Sequence, residues 1–252
     1  MINRDKTPIP ASNLIWLSHT WGPSCPAYAG GARVEVTANS SLSAGDSSNS
    51  LRFSATNHIG THMDFPLHFC AEGEQATDYS PDYFFFTNPM LVDLTPLEDE
   101  RIILTKYLES FLNASNEKIR NTDILLLRTG CEAFRDQDKY WSDGTGIGSG
   151  VAEWIRKHMP KCRAVGIDAI SISSFSNRPL GRKVHKEFLC HINPICLIED
   201  MKLSGLEADC LNWMIVLPLR IEAADAAPVT IIAHKGFPND SLMDLNSKGR
   251  LK

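Results

Sequence analysis

Four residues able to bind a metal or carry a proton at neutral pH fall within eleven positions: His58, His62, Asp64 and His68, in His58-Ile59-Gly60-Thr61-His62-Met63-Asp64-Phe65-Pro66-Leu67-His68. The segment holds three of the chain's eight histidines. Zn²⁺ and Mn²⁺ both accept imidazole nitrogen and carboxylate oxygen, and a catalytic metal site keeps one position open for water. His58, His62 and Asp64 supply three such ligands. Water in such a site is acidified toward neutrality, giving a nucleophile without serine or cysteine. His68, slightly further along, is placed to carry protons rather than to bind metal.

Gly60 and the β-branched Thr61 argue against a regular helix over 58–62, although His58 and His62 have i,i+4 spacing. The pattern predicts a turn at Gly60 leading into extended chain, in which residues 62, 64, 66 and 68 share one face. His62, Asp64 and His68 then line one groove, Met63, Phe65 and Leu67 point into the core, and Pro66 prevents full ladder pairing. One lone histidine would read as a satisfied core or surface residue. Three with an aspartate, interleaved with core-type residues, read as a site. A structural zinc usually recruits cysteine, and Cys70, the nearby thiol, is expected to pack.

The elements that must position this segment belong to an ordinary globular composition. The chain has 252 residues, 43% apolar and 22% charged, a length compatible with one large domain. No linker-like stretch divides it, so residues 1–252 are read as a single domain. A net charge of −5 leaves no basic stripe for nucleic acid. The run Glu98-Asp99-Glu100-Arg101 is expected to be solvated. Seven cysteines stand singly, an odd number without a CxxC pair, which argues against a disulfide framework. Cys162 and Cys196 are expected to be core residues. The first six residues lack an apolar leader, and no apolar run approaches membrane-spanning length. The expectation is a reduced, soluble, cytoplasmic protein.

Apolar runs predict strands at 14–17, 32–36, 90–94, 124–130, 164–168, 192–198, 214–219 and 229–233. The serine-rich stretch 38–50 reads as a loop. Helical spacing appears at 105–112, with Thr105 as N-cap, and at 151–158, stopped by Pro160. Strands outnumber helices and the two alternate in the middle, which predicts an α/β or α+β fold with β-rich ends.

The eleven-residue segment matches the pattern His-x-Gly-Thr-His-x-Asp-x-Pro-x-His without a gap and resembles the cyclase family of metal-dependent hydrolases. That family includes bacterial kynurenine formamidases and isatin hydrolases. Leu126-Leu127-Arg128-Thr129-Gly130, Gly166-Ile167-Asp168 with Ser171, Leu197-Ile198-Glu199-Asp200 and Leu217-Pro218-Leu219 look like further family blocks in the expected order. The likeness spans roughly residues 14–233.

The resemblance implies a compact, β-rich α/β domain with one or two Zn²⁺ ions, or Mn²⁺ instead, and a homodimer or homotetramer. It implies His58, His62 and Asp64 as first-metal ligands, Asp64 as a possible bridge to a second metal, and His68 as acid/base. The remaining ligands fall on Glu199 and on His185 in His185-Lys186-Glu187-Phe188-Leu189. The 185–199 interval is about two residues longer than in kynurenine formamidases, so His191 competes with His185, and Glu187 lies nearby. The family's aromatic-Pro-Gly segment, whose ring contacts substrate, is here Ala27-Tyr28-Ala29-Gly30. Tyr28 keeps the aromatic without the proline, and serves either as an aryl contact or as a packed loop residue. His19 and Trp21 are further pocket candidates, and Asp168 either orients a neighbour or caps a turn.

The chemistry expected is hydrolysis of an aryl-linked or cyclic amide, with N-formylkynurenine, isatin or a lactone as alternative small-molecule substrates. A non-catalytic metal- or ligand-binding relative is the competing class, opposed by the spare His68. A serine hydrolase has no support, since no Gly-x-Ser-x-Gly elbow is present.

Overall fold

A computed structural model describes residues 13–96, 102–110 and 116–236. The charge run 98–101, the first six residues and the predicted end of a helix at Leu112 lie outside them. The strands are β1 (Leu14–Trp16), β2 (Glu35–Ser40), β3 (Ser50–Ser54), β4 (His62–Asp64), β5 (Phe85–Phe86), β6 (Pro89–Asp93), β7 (Ile102–Ile103), β8 (Ile124–Arg128), β9 (Gly146–Ile147), β10 (Ala164–Ile167), β11 (Cys196–Glu199), β12 (Leu211–Pro218) and β13 (Ala226–Lys235). The helices are α1 (Thr105–Glu109), α2 (Asn116–Asn121), α3 (Lys139–Ser142), α4 (Val151–His158) and α5 (Arg178–Leu189).

One mixed sheet runs in the order β5-β12-β13-β4-β11-β10-β8-β6, with β1 added beside β13. β6, β8, β10 and β11 are parallel, while β4 is antiparallel to both its neighbours, β11 and β13. The sheet curls until β12 approaches β6, giving a strand-rich, nearly closed α/β fold.

Continuous apolar runs form the middle strands because both faces are covered. Leu125 and Leu127 of β8 join the core under α4 and α5, with Trp154, Ile155, Val184 and Phe188. Ile124 and Leu126 face the other core, inside the curl, with Phe65, Phe86 and Met214. Met63 and Phe65 are wholly buried there. Each such side chain contributes about 1.5–3 kcal/mol by burial, which anchors β4 in its register.

The structure departs from the sequence expectations in several places. The stretch 38–50 is half hairpin: β2 and β3 pair with Val36 opposite Phe53 and Ala38 opposite Leu51. Its tip is held by Asp46 and Asn49, which accept from the Ser41 and Leu42 amides. Cross-strand apolar pairs stabilise this ribbon despite the serines. The first helix takes Leu104, not Thr105, as N-cap. Residues 192–195 are loop, with Ile192 90% exposed, so the strand begins only at Cys196. Helix α5 was not anticipated, although Asn177 caps it and a proline occupies its first turn. Cys70 packs against the helical core but also bonds to Cys190, 120 residues away, correcting the expectation of free, reduced thiols. Among the described residues, no helix is long and apolar enough to cross a membrane.

Candidate metal centre

Gly60 adopts φ +71°, where a β-carbon is strained, and one added there would also lie 2.9 Å from Cys25 Sγ. This turn delivers the chain into β4. The extended conformation covers only residues 62–65. Pro66–His68 then form a 3-10 turn, so the predicted alternation through residue 68 is cut short. His68 still reaches the site, carried by the turn rather than by the strand.

Register brings the distant half together. In the β4–β11 pairing Glu199 lies directly opposite His62, and paired residues share a face. On the other side Asp64 pairs with Ala226, and the bend at Asp225 just before β13 brings its carboxylate to His58 and His68. Helix α5 supplies His185 from its buried side. Its Gly181 allows close approach, because a β-carbon there would fall 2.0 Å from Ser173 Oγ.

His62, Asp64, His185 and Glu199 are all 4% exposed or less. His62 Nε2 lies 3.4 Å from Asp64 Oδ1 and 3.4 Å from Glu199 Oε2. His185 Nε2 lies 3.5 Å from Glu199 Oε1 and 3.8 Å from Asp64 Oδ2. His58 Nδ1 is 3.0 Å from Asp64 Oδ1. His62 Nδ1–H donates to the Gly60 carbonyl at 2.9 Å, and His185 Nδ1–H to the Gly181 carbonyl at 2.8 Å. Both rings thereby turn their Nε2 lone pairs inward. Glu199 Oε1 accepts from Ser171 Oγ at 2.9 Å and the Ile172 amide at 2.7 Å.

The inward-facing atoms then lack partners. His62 Nε2 and both carboxylate oxygens of Asp64 are buried without a hydrogen bond. Leaving such groups unsatisfied costs about 1–3 kcal/mol each, more for charges. Ligands about 2.1 Å from a tetrahedral cation stand roughly 3.4 Å apart, the separation seen around His62. Two candidate ligand groups result, His62-Asp64-Glu199 and His58-Asp64-His68, sharing Asp64. The donor set therefore fits a divalent cation, with room for a second.

Electrostatics agree. Burial opposes a proton on His62, but the Asp64 and Glu199 carboxylates outweigh it and hold His62 well above its ordinary value. The same field favours any cation. Burial also opposes ionisation of Asp64, yet His58 and His62 keep its carboxyl well below the usual range. His58 is raised as well: burial pulls it down, and Asp64 and Asp225 more than compensate.

His68 behaves differently. Burial, reinforced by His58 and His185, lowers its pKa despite Asp64 and Asp225, so the ring is neutral at pH 7. Its Nδ1 lies 2.8 Å from Asp225 Oδ2, which also takes His58 Nε2 at 2.9 Å. Asn57 Nδ2 donates to the other oxygen of Asp225 at 2.6 Å. With Nδ1–H donated to Asp225, Nε2 of His68 is left as a base. Sequence reasoning missed Asp225. The available signal was one acidic residue inside Ala223-Ala224-Asp225-Ala226-Ala227.

Tyr28 lines the cavity beside this cluster, about 340 Å³, and its ring also packs on Phe175. His191 does not reach the centre. It is exposed and accepts from the Asn193 amide. Glu187 instead accepts from Ser149 and Gly150 at the start of α4. His19 and Trp21 do not line this cavity: the His19 amide donates to Thr61 Oγ1, and Trp21 Nε1–H donates to the Ile59 carbonyl. Asp168 caps the turn after β8, accepting from the Thr129 and Gly130 amides. A second network went unforeseen. Arg135 forms a two-point pair with buried Asp200, whose backbone carbonyl accepts from Thr61 Oγ1 at 2.6 Å. It ties the end of β11 to the turn before His62.

A curled α/β sheet carrying a buried His/Asp/Glu cluster able to hold a metal defines the kind of site, and comparison narrows it. The Cyclase family model, described as "Putative cyclase", matches residues 15–174, and the chain belongs to this family. A kynurenine formamidase of Bacillus cereus (strain ATCC 10987 / NRS 248) is 27% identical over 180 residues, covering 69% of this chain and 75% of the relative. A solved structure described as a potential metal-dependent hydrolase with cyclase activity superposes with TM-score 0.68 at 19% identity, covering 90% of this chain and 100% of that one. Isatin hydrolase A from Labrenzia aggregata bound to benzyl benzoate superposes with TM-score 0.71 at 16% identity, covering 87% and 92%.

Proposed function

We propose that this chain is a metal-dependent amidohydrolase cleaving an aryl-linked or cyclic amide. The observation that carries the reading is the convergence of orphaned His62 and Asp64 donor atoms beside an Asp225-backed His68. His58, His62, Asp64, His185 and Glu199 would hold the metal, one or two ions per chain, Zn²⁺ first and Mn²⁺ as the alternative. When bound, the divalent ion supplies a water acidified toward neutrality and a Lewis acid for the carbonyl oxygen.

The chain's own residues do the rest. His68 Nε2 takes the proton of the attacking water and returns it to the departing nitrogen. Asp225 holds the ring in the tautomer that makes this possible and stabilises the imidazolium that forms. General acid–base help of this kind contributes about 10²–10⁴-fold. Tyr28 and Phe69 give the cavity aromatic walls suited to an aryl ring. The curated formamidase relatives support the aryl amide, and the isatin hydrolase likeness keeps a cyclic amide as the second reading.

A single domain over 1–252, a homodimer or homotetramer, and a cytoplasmic location complete the reading. The Cys70–Cys190 bond weighs against the last, because disulfides are rare in reducing compartments. Elemental analysis of the purified protein, followed by turnover of N-formylkynurenine and isatin with and without chelation, tests the function. In His68→Ala, kcat should fall 10²-fold or more while metal content stays. Loss of metal would make His68 a ligand instead, which its grouping with His58 and Asp64 also allows.

A further inference from the structure

The cavity at the metal centre has a charged wall that the hydrolytic reading does not use. Arg178, Arg182 and His185 stand at i, i+4 and i+7 on α5, so they share one helix face. All three line the cavity. Along the axis Arg182 lies roughly 4.5 Å and Arg178 roughly 10 Å from the level of His185. The helix thus forms a ruler running from the metal centre to the mouth.

Neither guanidinium has a carboxylate partner among the described residues. Arg178 rests over the Phe175 ring, 5.9 Å from its centroid. Three other arginines are engaged, Arg128 with Asp93, Arg135 with Asp200, and Arg156 with the carbonyls of Glu187, Phe188 and Asn193. The neighbouring lysine on α5 is paired too, since Lys183 reaches Glu187. On a chain of net charge −5, two unpaired cations bordering one cavity form a local anion site. Glu199, which also lines the cavity, and the buried Asp64 behind it face the histidines and would be neutralised by the metal. Between the two charge zones lie Tyr28 and Phe69. The charges of Arg178 and Glu199 both reach the Tyr28 hydroxyl, and Phe69 stacks on His185 at 4.7 Å.

We propose that Arg178 and Arg182 determine specificity by clamping a carboxylate carried on the far side of the substrate's aromatic ring. The substrate class is then an anionic aryl amide, and a neutral cyclic amide such as isatin is the disfavoured one. The inference rests on the amidohydrolase reading for the amide, but not for the carboxylate. A planar guanidinium fork binds a carboxylate through two parallel hydrogen bonds, and an aryl ring between the aromatic walls holds the amide toward the metal centre.

The test uses the metal-loaded protein and its R178Q, R182Q and R178Q/R182Q variants. Turnover is measured on formanilide, 4-formamidobenzoate, N-formylkynurenine and isatin. In parallel, calorimetry measures binding of 4-aminobenzoate and of aniline. For the parent protein kcat/KM should favour 4-formamidobenzoate over formanilide. That ratio should fall about ten- to hundredfold in the double variant, with KM carrying the loss. Binding of 4-aminobenzoate should weaken by a similar factor, and more than that of aniline. If no amide is turned over yet 4-aminobenzoate binding still depends on the arginines, the amidohydrolase reading falls and the clamp stands. Equal preference for the charged and neutral compounds, or ratios and affinities unchanged in the double variant, overturns the clamp.

Discussion

Oδ2 of Asp225 lies 2.8 Å from Nδ1 of His68, so a carboxylate just before β13 orients the ring of a histidine 157 residues earlier in the chain. The same oxygen meets His58 Nε2 at 2.9 Å. One acidic residue thus supports both the proposed proton carrier and a proposed metal ligand.

Asp225→Asn keeps the size of the side chain and removes its charge. Supporting groups of this kind are worth about 10–100-fold in activity or metal affinity. We expect kcat to fall by that factor at saturating metal, with metal affinity weakened in the same direction through His58. Steady-state assays combined with a metal titration check both effects.

Gly181→Ala places a methyl group 2.0 Å from Ser173 Oγ and 2.4 Å from its Cβ. Helix α5 must move, and His185 moves with it. Overpacking of this kind costs about 1–3 kcal/mol. The expected outcome is a lowered Tm together with reduced metal content, read by thermal unfolding and elemental analysis.

Cys70 and Cys190 are bonded, and Cys25, Cys131, Cys162, Cys196 and Cys210 are free. Alkylation of the unfolded chain without reductant should therefore label five cysteines, and all seven after reduction. In the native protein Cys162 and Cys196 should resist labelling at pH 8, because burial pushes both thiols up to about 12. Mass spectrometry of the labelled protein reads both outcomes.

Asp93 is held down to about 2, first by its hydrogen bond from Arg128 and also by Thr95. A carboxyl depressed on folding stabilises the fold above its unfolded value near 4, and that contribution is lost as pH falls through about 2. The pair is partly solvated, so solvent screening limits it to below about 1 kcal/mol. Asp93→Asn should lower stability slightly at pH 7, with the difference closing between pH 4 and pH 2 in denaturant titrations.

Much of the fold was legible because its central strands carry continuous apolar runs. β8 and β10 lie at 124–128 and 164–167, inside the windows that their sequences predict. Helix α4 coincides with the predicted 151–158. Helix α5 carried signals in the sequence, with Asn177 as cap, Pro179 in the first turn and Leu180, Val184 and Phe188 at helical spacing, but Gly181 and the many charges obscured them. The β2–β3 hairpin was hidden by its serines. The Cys70–Cys190 bond joins residues that no spacing rule relates, since only the meeting of α5 with the turn after His68 brings them within 5.6 Å between Cα atoms.

For the candidate site, sequence alone determined the local part: His58, His62, Asp64 and His68 are close in the chain, and a turn at Gly60 followed by extended backbone keeps them close in space. The distant part was decided by tertiary structure. Whether Glu199 faces His62 depends on the β4–β11 register, where a slip of one residue would turn it to the opposite face. His185 enters because it lies on the buried side of α5, whereas His191 falls in the exposed loop after that helix. Asp225 arrives only because β13 pairs with the other edge of β4. Local chain geometry acts over a few residues, whereas register and packing are chosen by burial of the whole core, and that choice is what completes the centre.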